Sequence, residues 1–161
     1  MKRALKYIAS MLTVLGISSI SHFIYAWLGE PSILFPLVPT SEAIFQHIKL
    51  CIIPCMIGLW PFYRKDYSIW SMGVVGIEVG ILMTLYYYFM VGGLGITGLI
   101  PDILTLVVAL LLRIPRLHPI NKKDKKIIAI LTIIALLGCG VLSYVHPDVP
   151  FFTQTEHHHD H

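Results

Sequence analysis

The sequence predicts an all-α protein: a polytopic transmembrane helical bundle of five spans, with its N-terminus in the cytoplasm and its C-terminus outside. Three observations predict it. The chain of 161 residues is 56% hydrophobic and only 13% charged, whereas a soluble domain is about a quarter charged. The apolar residues gather into five continuous stretches without the period-two alternation of a barrel. Of the 12 Lys and Arg residues, all but Lys49 fall in segments that a five-span chain would keep on one side of the membrane. That is the positive-inside pattern. The basic loops read as a topology signal and as contact with anionic lipid, not as a nucleic-acid surface. The lipid bilayer is the expected partner and the plasma membrane the expected location.

Span one covers residues 7–28, after Lys2, Arg3 and Lys6, and ends in the aromatic belt of Phe23, Tyr25 and Trp27. Its basic start and apolar run also fit a secretory signal, with Ser19 and Ser21 around a cleavage point. The outer connection 29–41 combines Pro31, Pro36 and Pro39 with Ile33, Leu34, Phe35, Leu37 and Val38. Prolines block a helix and the apolar residues resist full exposure, so this segment should lie in the interface or fold back over the bundle. Span two covers residues 42–62. Pro54 should bend it, since it removes a backbone donor. Arg64 and Lys65 then mark the inner side.

Span three covers residues 67–91. Gly73, Gly76, Gly80 and Thr84 form a ridge of small residues that permits close helix approach, within the bundle or in a homo-oligomer through Gly76 and Gly80. Tyr86, Tyr87 and Tyr88 close the span at the outer surface. A glycine-rich connection leads to span four, residues 99–114. Arg113, Arg116, Lys122, Lys123, Lys125 and Lys126 then return the chain to the inner side. Span five covers residues 127–145. Residues 146–161 form an extracellular tail in which His157, His158, His159 and His161 could capture a divalent transition metal without a fold.

Ionisable residues inside a membrane are costly and point to function. His22, Glu42, His47, Lys49, Glu78 and Asp102 are the candidates for a binding site. Most share the outer leaflet: His22 lies about 9 Å below the end of span one at the helical rise, Glu42 opens span two, and Asp102 opens span four. Each also has an architectural reading. Glu42 and Asp102 suit helix N-termini, where an acid satisfies free amides and offsets the dipole. His22 can bond to Ser18 or Ser19, and His47 to a backbone carbonyl. Lys49 lies too deep to reach water easily and should meet an acid, Glu42, Glu78 or Asp102. Glu78 is alone near the middle of span three and points away from the glycine ridge. Cys51 and Cys55 follow His47 along one stripe of span two, and such soft ligands could hold copper or zinc.

Two stretches carry a resemblance. His22-Phe23-Ile24-Tyr25-Ala26-Trp27, followed by Phe35 through Leu50, is similar to the pattern H-x-x-Y-x-W then P-V-N-E-S-x-W-E-H-x-K-L. That pattern belongs to a family of small polytopic bacterial membrane proteins, mostly from Gram-positive organisms, known only as a domain of unknown function. His22, Tyr25, Trp27, Glu42, His47, Lys49 and Leu50 match. Phe45 stands for the tryptophan and Gln46 for the second glutamate, which weakens any metal site built on paired glutamates. The resemblance implies no known activity.

Three functions fit these residues. In the first, the outer-leaflet cluster binds or transports a small molecule or ion, with Lys49 paired to an acid and His22 and His47 relaying protons or holding a cation. In the second, the chain is a structural or accessory membrane subunit whose polar residues pair only with one another. In the third, His22, Glu42, His47 and Asp102 form an intramembrane metal-dependent hydrolase centre, with three ligands and one open water position.

Overall fold

The computed structural model describes residues 2–29, 46–94, 99–116 and 124–145. Their regular structure is wholly helical: α1 Lys2–Trp27, α2 Gln46–Tyr63, α3 Ile69–Leu94, α4 Leu99–Arg113 and α5 Asp124–Val145, with a short 3-10 turn Ile114–Arg116 after α4. A helix stands at each of the five predicted stretches. Three helices, α1, α3 and α5, are long and apolar enough to cross a membrane. The 18 residues of α2 and the 15 of α4 reach about 27 and 22 Å at the helical rise, short of a hydrocarbon core of about 30 Å.

Helices α2 and α3 form the central pair. They run antiparallel, with Gly76 against Ile52 and Gly80 against Ile48. A Cβ added to Gly76 would lie 2.6 Å from the Ile52 Cα, and one added to Gly80 would lie 2.8 Å from the Ile48 Cα. Only a residue without a side chain lets the two backbones meet so closely. The glycine ridge is therefore used inside the chain, and its Gly76 and Gly80 face is covered by α2.

Helix α1 packs on α2, α4 packs on α3 and α1, and α5 lies against α2 and α3. Gly58 receives Val14 of α1, and Gly73 receives Thr132 of α5. The main apolar core lies among the first four helices and includes Val14, Cys51, Cys55, Met83, Leu106 and Leu110. Helix α5 closes a second seam along the α2–α3 pair.

The end of the bundle that carries Lys6, Arg64 and Lys65 is tied together by polar contacts. The Lys6 ammonium sits 4.3 Å from the centre of the Tyr63 ring and 3.9 Å from an Asp66 carboxylate oxygen. Tyr7 donates through its hydroxyl to the Leu111 carbonyl at 3.1 Å. Between α2 and α3 the Ser68 hydroxyl accepts from the Ser71 amide at 3.2 Å, capping the start of α3.

The outer faces differ from those of a water-soluble bundle, and polar residues are buried beside the apolar core. The outer faces present Leu5, Ile8 and Leu12 on α1, Leu104 and Leu112 on α4, and Ile127, Ile130, Leu131, Ile134 and Leu137 on α5. The interior holds Ser10, Ser18, His47, Lys49, Ser71, Thr84, Thr105 and Thr132. Water would penalise the first set heavily, whereas hydrocarbon accepts it.

Candidate functional site

The polar interior is built around α2. Lys49 is the largest side chain fully removed from the surface, and His47 is 4% exposed. Their positions follow from the helix itself. Ile48 and Ile52 face α3 across the two glycines. Lys49 falls on the flank of that line toward α5, where the Cys139 thiol is its electrostatic neighbour. His47 lies two residues from Lys49, about 200° around the helix. The two side chains therefore meet different neighbours, and α2 itself divides the outer-leaflet set that the sequence grouped together.

Pro54 sits inside α2, which nonetheless runs unbroken from Gln46 to Tyr63. A proline at 54 cannot donate to the carbonyl of Leu50, one turn back. Ser18 of α1 does so instead: its hydroxyl donates to the Leu50 carbonyl at 3.1 Å, and the contact is buried. Ser19 donates to the Leu15 carbonyl at 2.9 Å.

Glu78 is not isolated. Arg113 donates from Nε to its Oε2 at 2.9 Å, and from Nη2 to the same oxygen. Geometry explains the partner. Glu78 is two residues from both Gly76 and Gly80, so it leaves α3 on the side opposite α2, as the sequence indicated. Arg113 reads in the sequence as a loop charge. It is instead the last residue of α4, and its side chain is drawn up to a carboxylate within the bundle. The Glu78 carboxylate, one of three acids offered to Lys49, is thus engaged from another helix.

The soft ligands of α2 all lie among the described residues. His47, Cys51 and Cys55 occupy successive turns, so the first and last stand about 12 Å apart along the axis. One ion cannot bridge that distance, and among the described residues no three His, Cys, Asp or Glu side chains gather into a metal site. His47, Cys51 and Cys55 therefore do not together form one copper or zinc site. Cys51 turns instead toward α3, with its Sγ 3.8 Å from the Met83 Sδ.

Of the proposed hydrolase quartet, His47 alone has a described side chain. His22 lies on α1 and Asp102 in the first turn of α4, with side chains outside the described residues. Glu42 and the tail histidines His157, His158, His159 and His161 also lie outside them.

Two features have no sequence signal. The Thr84 hydroxyl is buried and has no hydrogen-bond partner among the described residues. It lies one turn beyond Gly80 on α3. The Arg113 pairing likewise spans 35 residues, and no local pattern announces it.

No curated protein and no solved structure matches the chain. A family model does match, over residues 1–158. The chain belongs to that family, a family of unknown function (DUF6512).

Proposed function

We propose that this protein is a five-span plasma-membrane protein, N-terminus inside and C-terminus outside, that binds and moves a small molecule or ion through the outer half of its bundle. One observation carries the reading: Lys49 is wholly buried in a bundle whose outer faces are apolar. Holding an ammonium there costs several kcal/mol before any partner compensates it. Packing alone would be better served by a methionine. Lys49 is the charged residue of the site and His47 the second titratable group on the same helix. Glu78 belongs to the framework, since Arg113 holds its carboxylate.

The accessory-subunit reading is favoured by a different observation. The Glu78–Arg113 pair and the Ser18–Leu50 link both satisfy polar groups internally, as a purely structural bundle would.

Proton flux separates the two. The purified protein is reconstituted into vesicles loaded with a pH-sensitive dye, and a proton gradient is imposed. Wild type should dissipate the gradient faster than empty vesicles. Lys49→Arg keeps the charge and cannot release a proton, so it should lose the flux while remaining folded. Wild-type flux equal to that of empty vesicles would remove the proton-transport reading, and undiminished flux in Lys49→Arg would remove Lys49 from the path.

A further inference from the structure

We propose that Cys51, Cys55 and Met83 form a three-sulfur site for a soft monovalent metal ion, Cu(I) or Ag(I). This goes beyond the Lys49 reading and does not depend on it, because the sulfur atoms lie among the first four helices and Lys49 lies on the α5 side of α2. Cys51, Cys55 and Met83 belong to one buried cluster. The first two are 0% exposed and the third 1%.

The spacing suits the ion. At a metal–thiolate length of about 2.3 Å, three sulfurs in a plane around one ion stand about 4 Å apart. Cys51 Sγ and Met83 Sδ are already 3.8 Å apart. The Cys51 and Cys55 thiols are one helical turn apart and are electrostatic neighbours. Pro54 immediately precedes Cys55 and removes the backbone hydrogen bond that would fix residue 54 to residue 50. Thiolate and thioether ligands select Cu(I) over harder ions. His47, one turn nearer the outer end, is too far from Cys55 to share the ion but continues the donor stripe outward.

Charge also balances. One Cu(I) enters and two S–H protons leave to water; no electron moves. The loaded site carries one negative charge.

The full-length protein in detergent is titrated with Cu(I) without oxygen, in competition with a bathocuproine chelator, and copper retained per chain is measured. Wild type should hold one Cu(I) more than Cys51→Ser/Cys55→Ser, with a sulfur-only coordination shell by X-ray absorption. The histidine tail is common to both and cancels. Met83→Leu preserves volume and apolar character, so it should fold. It should weaken binding at least about tenfold, since even the loss of an outer-sphere partner has that effect. A wild type that retains no more copper than the double serine variant overturns the site. A Met83→Leu variant that binds as tightly as wild type overturns the three-sulfur geometry.

Discussion

Ser18 and Pro54 show how one residue answers another across helices. Proline takes a donor out of α2, and the carbonyl of Leu50 would be stranded in a dry core without the serine hydroxyl. A buried acceptor left without a partner costs about 1–3 kcal/mol. Ser18→Ala should therefore lower the stability of the protein in detergent by about that amount. Pro54→Ala restores the backbone donor, so the same serine substitution should cost measurably less in that background. Equal losses in both backgrounds, measured by thermal unfolding, would show that the two sites are uncoupled. Glu78 and Arg113 follow the same logic with charges. Each supplies the other with charge-assisted hydrogen bonds.

At the scale of helices, glycine decides which pairs can meet. The α2–α3 contact is a backbone contact, and no rotamer change can relieve a methyl group placed there. Gly76→Ala should force the helices apart and destabilise the bundle by about 1–3 kcal/mol, the range for overpacking. At Gly138 of α5 an added Cβ would meet open space, with nothing within 4 Å. Gly138→Ala should be neutral or stabilising, by up to about 1 kcal/mol, because alanine is the better helix former. A pulse-proteolysis comparison of the two variants checks this, and equal sensitivity would contradict the tight seam. Helix α4 is a different case. At about 22 Å it is shorter than the apolar layer, and Arg113 at its end finds a carboxylate in the bundle rather than water.

The whole molecule is ordered by its solvent. Leucine and isoleucine cover its outer faces while lysine, histidine, serine and threonine fill its seams. This arrangement is stable where the surroundings are hydrocarbon and the interior can satisfy each polar group. For the orientation, the basic residues carry the prediction. Single cysteines introduced at positions 36 and 150 should react with a membrane-impermeant thiol reagent applied to whole cells. Cysteines at 65 and 123 should be protected until the cells are opened. The three native cysteines are buried, so background labelling should be low. The reverse pattern would overturn the depth assigned to every polar residue.

Sequence alone determined the helical class and marked the stretches at which the described residues form helices, because hydropathy and glycine or proline interruptions are local properties. It also marked Lys49 and Glu78 as exceptional, since a charge in an apolar run is visible without any fold. It did not reveal that Glu78 meets Arg113, that Ser18 completes the backbone of α2, or that Met83 lies beside Cys51. Each of these joins residues more than 30 positions apart, and such pairs depend on which faces of two helices come together. Spacing gives the angle between two side chains, but only the packed bundle says which neighbour stands on each side. Tertiary structure thus decided the partners, because a helix fixes the direction of its side chains and leaves to packing what they meet.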